Sequence, residues 1–342
     1  MGPLLPADDP LGARWGRRLK GTVIEGGSFI ALTLLAPLVL PAAVVVDLGL
    51  WVLRRKPWMA VRLALMGWWF LAGELRGIAT LGLINLCSLG RDTPVRRRRV
   101  YRLRQSWAGG HLAGLRVLFG LDFETEGLEL VAPGPVVVLI RHASIVDNAL
   151  PDAVLGRPHD IGLRFVLKRE LQMLPTIDIG GRMVPTTFVR RGSGDTDREL
   201  VNLRKLAVEI GTDEGILIYP EGTRHTDEKL AKAKALLAER QPDVAPLAEG
   251  LRNVLPPRLG GPLALLAAAR GTDVVVCGHV GLDGFEYISD IWAGGLVGTT
   301  VRVKLWRYPA AEIPEGRDEL VRWLYDVWQR MDDWIGEQRA RG

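Results

Sequence analysis

His142 stands in the run Arg141-His142-Ala143-Ser144-Ile145-Val146-Asp147, directly after a short β-branched stretch. An imidazole has an unperturbed pKa of about 6.5, which suits it to removing a proton at neutral pH. A carboxylate on its second ring nitrogen fixes the tautomer and stabilises the imidazolium. His142 and Asp147 therefore have the residue types of a general base and its orienting partner, able to activate a hydroxyl for attack on an acyl carbon. In one continuous helix, residues at this spacing end roughly 140° apart around the axis and do not easily meet. A strand ending at Ile140 that turns into a helix near Ser144 and Asp147 brings them together. The spacing alone is permissive: Asp147 as a helix cap and His142 as a loop residue fit it too.

A second group is Tyr219-Pro220-Glu221-Gly222-Thr223-Arg224. The guanidinium of Arg224 offers a planar fork that can hold a phosphate with two bonds. Gly222 lets the backbone approach a ligand closely, and Glu221 could anchor the loop or an arginine. By itself this run also reads as a tight turn. The remaining histidines, His111, His159, His225 and His279, are scattered, and His225 reads as a surface residue. Cys87 and Cys277 form no CxxC and no Cys/His cluster, so neither structural zinc nor a disulfide framework is expected. No P-loop, GxSxG elbow or HExxH helix is present.

The elements that must position these residues alternate. Residues 135–140, 163–167, 215–219 and 273–280 read as buried strands. Thr196, Asp197, Arg198 and Glu199 form a capping box ahead of Leu200, Leu203, Leu206, Ala207 and Ile210, with Gly211 as the stop. Residues 227–240 and 261–269 read as helices, as does 316–337, whose stripe of Leu320, Trp323, Leu324, Val327, Trp328, Met331 and Ile335 reads as core rather than membrane surface. Alternating strands and helices predict an α/β domain with a mostly parallel central sheet flanked by helices.

The amino-terminal part differs. Residues 26–46 carry no charge and are just long enough to cross a bilayer, which needs roughly 20 apolar residues. Pro37 and Pro41 interrupt the run and both flanks are basic, so a span and a re-entrant or half-inserted hairpin both remain open. Residues 58–90 are apolar but contain Arg62, Glu74 and Arg76. They suit a helix at the interface, with Trp58, Trp68 and Trp69 at headgroup level, or a helix buried on the following domain. Arg96 to Arg99, Arg102 and Arg104 follow; they read as attraction to anionic lipid or as a solvated linker. The net charge of +5 fits an anionic membrane or a phosphorylated substrate, and no nucleic-acid motif accompanies it. The expected organisation is 1–104, membrane-associated helices with a basic linker, and 105–342, the α/β domain.

Taken together and in order, the motifs resemble the glycerophospholipid acyltransferase family, which includes the 1-acylglycerol-3-phosphate acyltransferases. His142 and Asp147 match its His-four residues-Asp block, and Tyr219 to Arg224 its (F/Y)PEGTR block. Lys168, Glu170, Leu171 and Pro175 match a K-x-E-L-x-x-x-P pattern, and Phe188-Val189-Arg190-Arg191 stands where members have a Phe-Ile-x-Arg segment. Leu251 to Arg258 and Arg307 to Pro314 resemble segments of the lysophosphatidate acyltransferase branch. Val274 to Gly278 lacks the proline common in the fourth block. The resemblance covers roughly residues 105–335.

It implies acyl transfer from acyl-CoA or an acyl carrier protein to the sn-2 hydroxyl of 1-acyl-glycerol-3-phosphate, a lysophospholipid, giving phosphatidic acid, with no metal and no cofactor. His142 and Asp147 would be catalytic, with backbone N–H groups at their turn facing the oxyanion. Arg224, Lys168, Arg191, Glu221, Gly222 and Thr223 would form the phosphate site. Another lysophospholipid, glycerol 3-phosphate or a glycolipid is the alternative acceptor. A lipid-binding protein on a decayed fold is the non-enzymatic alternative, against which the intact motif set argues. The expected place is the inner membrane, with the catalytic domain on the cytoplasmic side and anionic phospholipids around it.

Overall fold

The computed structural model describes residues 9–189, 196–285 and 287–341. Its strands are β1 (Asp122–Glu126), β2 (Val136–Ile140), β3 (Gly162–Lys168), β4 (Thr186–Val189), β5 (Glu214–Ile218), β6 (Asp273–Val280) and β7 (Thr300–Tyr308). They form one sheet in the order β1-β7-β6-β2-β5-β3-β4. Every neighbouring pair is parallel except β6 with β7. β2 therefore sits in the middle, and every residue of its Val-Val-Val-Leu-Ile run is buried. A strand covered on both faces has no polar side, which is why it reads as continuous rather than alternating.

The two faces carry separate cores. Val136, Val138 and Ile140 pack with Leu112, Leu115 and Phe119. Val137 and Leu139 pack with Leu324, Trp328 and Met331 of the carboxy-terminal helix Arg317–Arg341. The tryptophan-bearing stripe of that helix is thus core. The expected strands and the helices at 227–240 and 261–269 are present, within a residue or two at their ends. β1, β4 and β7 were not expected. β1 and β4 are short, and β7 alternates charged and apolar residues in a stretch the sequence left unread. The helix from Thr196 ends at Leu206, short of Gly211, because the chain turns at Ala207 and Val208, whose N–H groups bond only three residues back. The side chains of the capping box, residues 196–199, lie outside the described ones.

At the amino terminus, α1 (Leu11–Leu34) and α2 (Ala36–Arg54) are separated by Leu35 alone, and α3 (Met59–Cys87) returns along them. The break falls inside the uncharged run 26–46, where Pro37 enters the first turn of α2. That run is consequently not one straight span. Among the described residues, the helices long and apolar enough to cross a membrane are Ala36–Arg54 and Met59–Cys87. Fully buried Asp47 accepts the N–H groups of Met59, Ala60 and Val61, capping α3 from the neighbouring helix.

α3 lies against α4 (Pro94–Phe119) along much of its length. Met59 reaches the domain core, Trp69 donates to the carbonyl of Gly110, Trp107 donates to Glu74, and Thr176 donates to the carbonyl of Glu74. The close approach needs Gly73, where a Cβ would stand 2.6 Å from a ring carbon of His111. The interfacial reading of 58–90 is thus joined to the packed one. The boundary placed at residue 104 falls inside α4. The arginines of this stretch belong to the helix, and all but exposed Arg99 have partners among the described residues: Arg96 bonds Asn85, Arg97 pairs with Asp92, Arg98 with Asp213, Arg102 with Asp160, and Arg104 with Asp152.

Candidate active site

β2 and β5 run side by side, with Leu139 level with Ile218. Their carboxyl ends deliver the two principal motifs to one place, the edge where open α/β sheets bind ligands. His142 follows β2 and is 5% exposed. Its Nδ1 lies 3.1 Å from Oδ1 of Asp147, whose Oδ2 accepts the N–H groups of Ala143 at 2.7 Å and Ser144 at 2.8 Å. The short helical turn Val146–Ala149 brings the carboxylate back over the turn that it caps. Asp147 thus both contacts the His142 ring and caps the turn after it. Burial alone would raise its carboxyl; His142, His279 and the Ser144 N–H outweigh that and hold it below the usual carboxylate range.

The backbone N–H groups of this turn are occupied. His142 donates to Glu221 at 3.0 Å, Ala143 and Ser144 to Asp147, Ile145 to the carbonyl of Phe285, and Val146 to Oγ of Ser144. The oxyanion donors expected here are therefore satisfied inside the fold.

The Tyr219–Arg224 loop closes on the same turn. The rings of Tyr219 and His142 are 4.5 Å apart, and the N–H of His225 donates to the carbonyl of His142 at 2.8 Å. Gly222 has φ +65°, and a Cβ there would meet the side chain of Arg258 at 3.0 Å. Glu221, grouped by sequence with the phosphate-binding residues, has another place. It is buried, and its oxygens accept the N–H groups of His142 and Leu255. So enclosed, it serves as a bridge between the two segments. Burial pushes this carboxyl up to about 8, against the downward pull of Arg141 and the two N–H donors.

Thr223 and Arg224 are half-buried beside this bridge, and Lys229 donates to the carbonyl of Arg224. Lys168 ends β3, level with Val189 of β4 and on the same edge of the sheet as Arg224. Arg191 lies outside the described residues.

Several site-forming residues escaped the sequence reading. Arg141 is fully buried and bonds the carbonyls of His279 and Asn253 and the carboxylate of Asp283. Burial would raise Asp283, but Arg141 holds it far below the usual range. Asp332 of the carboxy-terminal helix accepts the N–H groups of Arg252, Asn253 and Val254, fixing the segment that reaches Glu221. His279 on β6 is buried with Nε2 3.6 Å from Oδ2 of Asp147. His225 is buried as well, not a surface residue. A histidine inside the apolar run 273–280 was the visible signal for His279; the others had none.

Residues 122–246 match the Acyltransferase family model and include His142, Asp147, Lys168 and Glu221 to Arg224. The chain is 32% identical over 161 residues to the lyso-ornithine lipid O-acyltransferase of Pseudomonas aeruginosa, covering 46% of this chain and 58% of that one. It is 25% identical over 210 residues to 1-acyl-sn-glycerol-3-phosphate acyltransferase epsilon of Mus musculus, covering 58% of this chain and 56% of that one. The matches thus span little more than half the length of these curated relatives. The fold is similar to that of the 1-acyl-sn-glycerophosphate acyltransferase PlsC of Thermotoga maritima, with TM-score 0.54 and 16% identity over 82% of this chain and 97% of that one.

Proposed function

We propose that this chain is a glycerophospholipid acyltransferase that moves an acyl group from acyl-CoA or an acyl carrier protein to the free sn-2 hydroxyl of a 1-acyl-glycerol-3-phosphate acceptor, giving phosphatidic acid. The observation that carries the reading is the His142–Asp147 contact at 3.1 Å, beside the Tyr219–Arg224 loop. Asp147 engages Nδ1, which leaves Nε2 to accept the proton of the acceptor hydroxyl. The hydroxyl oxygen bonds to the thioester carbonyl carbon, the C–S bond breaks, and the leaving sulfur takes the proton from Nε2. Lys168 and Arg224, with Arg191, supply positive charge for the acceptor phosphate.

The family match, the relative named a 1-acyl-sn-glycerol-3-phosphate acyltransferase and the PlsC-like fold support this reading. The lyso-ornithine lipid relative favours a second acceptor class, a lysolipid without that phosphate. Purified protein is to be given palmitoyl-CoA with a mixture of lysophosphatidate, other lysophospholipids, glycerol 3-phosphate and a lyso-ornithine lipid, and the products identified by mass spectrometry. Phosphatidic acid is expected. Acylation of another acceptor alone moves the assignment to that acceptor, and no acylation of any rejects the enzyme reading.

The same reading places the amino-terminal helices in the plane of a bilayer surface. α3 is held to α4 near both ends and in between, which favours a helix that lies at the bilayer with the domain over one that crosses it alone. The outer face of α2 presents Leu38, Val45 and Leu53, exposed by 71, 70 and 81%. Arg54 and Arg55 lie exposed at its end, suited to anionic headgroups on the cytoplasmic leaflet of the inner membrane.

A further inference from the structure

Asp147 is flanked by two imidazoles. His142 lies on one side at 3.1 Å, and His279 on the other, with Nε2 3.6 Å from Oδ2. His279 reaches this position by strand alternation: Val275 and Cys277 point into the β2-facing core on that side of the sheet, and His279 continues the row. Register carries it past the end of β2, since Ile140 is level with Cys277.

The contacts assign its tautomer. Nε2 faces two acceptors, the carbonyl of Arg141 at 3.2 Å and the Asp147 carboxylate, so Nε2 carries the proton. Nδ1 is buried without a hydrogen-bond partner among the described residues. The charged and titratable groups around the ring are Asp147 and Arg141 from the end of β2, Asp283 from the loop after β6, and Cys277 on its own strand. Arg339 of the carboxy-terminal helix reaches it through Asp283. Burial lowers the pKa of the ring and keeps it neutral.

We propose that His279 is a positioning residue for the acyl transfer: its Nε2–H, bonded to the carbonyl just before His142, points its positive end at the Asp147 carboxylate and sets how strongly that carboxylate draws on the Nδ1–H of His142. A carboxylate that shares its charge among several donors attracts each of them less. Without His279, Asp147 holds the His142 proton more tightly, and the base is blocked by protonation over a wider acidic range. The proposal rests on the assigned role of His142.

The test follows the His142 ring by carbon NMR in detergent-solubilised full-length protein with labelled histidine. The chain has 5 histidines, and His142→Gln identifies the resonance. In His279→Leu the titration midpoint of His142 is expected to rise by about one pH unit, a tenfold change in proton affinity. The acid limb of kcat/KM with palmitoyl-CoA should move by the same amount. His279→Gln, whose side-chain amide reaches the Nε2 position, should restore the wild-type midpoint. If His279→Leu does not fold, His279→Asn takes its place, because its amide reaches only the Nδ1 position. An unchanged midpoint in Leu or Asn, a Gln variant that behaves like Leu, or an activity loss equal at every pH overturns the proposal. A wild-type protein that turns over no lysolipid removes the activity reading instead, while the ring titration still reports on His279.

Discussion

Nδ1 of His142 lies nearer to Oδ1 of Asp147, at 3.1 Å, than to Oδ2, at 3.4 Å, and Oδ2 accepts the N–H groups of Ala143 and Ser144. One carboxylate therefore both orients the His142 ring and closes the turn that carries it. Asp147→Asn keeps the shape but leaves only one acceptor for these donors. Turnover is expected to fall by a factor on the order of 10⁴, as when the carboxylate of a Ser-His-Asp triad is made an amide. Stability should fall by about 1–3 kcal/mol, the cost of an unsatisfied buried polar group. Steady-state kinetics and urea denaturation check the two effects separately.

His142→Ala should abolish transfer while the fold persists, because the ring sits at the rim of the sheet and not within either core. Product mass spectrometry and circular dichroism decide this, and retained turnover removes His142 as the base.

Two histidines and two aspartates should make acid destabilising in two stages, against Glu221, whose raised carboxyl binds a proton in the fold and stabilises it as pH falls from about 8. The folded pKa of His225 and of His279 is lowered by burial, so the unfolded chain binds more protons below its own value near 6.5. Stability from this source is complete above about 6.5 and is lost as pH falls towards the folded values. Asp147 and Asp283 are also depressed, so their contribution is lost at lower pH, below the ordinary carboxylate value near 3.9. In thermal melts from pH 7.5 to 4, the difference between the wild type and a His225→Gln, His279→Gln double variant should show the first stage, since the Glu221 contribution is common to both.

Asp332→Ala leaves the N–H groups of Arg252, Asn253 and Val254 without their acceptor. A loss on the order of 3 kcal/mol is expected in denaturant titrations. Because the same segment donates to Glu221 through Leu255, kcat should fall as well, although Asp332 lies on the far helix.

For the membrane face, Leu38→Glu with Val45→Glu should reduce flotation with vesicles containing anionic phospholipid and leave stability nearly unchanged, since both side chains are exposed. Arg104→Ala should do the reverse, because that guanidinium is paired with buried Asp152. Equal vesicle binding by the double glutamate variant rejects the in-plane reading.

What the sequence determined by itself is local. Continuous apolar runs marked β2, β5 and β6, because a strand covered on both sides has no polar face to show. The motifs around His142 and Tyr219 were legible because acyl-transfer chemistry restricts residue type and short spacing. The tertiary structure decided everything that depends on which segments become neighbours. Register carried His279 to Asp147, and packing on the carboxy-terminal helix made Asp332 a cap for residues 252–254. Folding turned Glu221 from a candidate phosphate neighbour into a bridge and paired the arginines of α4 with distant carboxylates. The use of a buried polar group is set by the donor or acceptor that folding places within about 3 Å, and sequence spacing does not encode that distance.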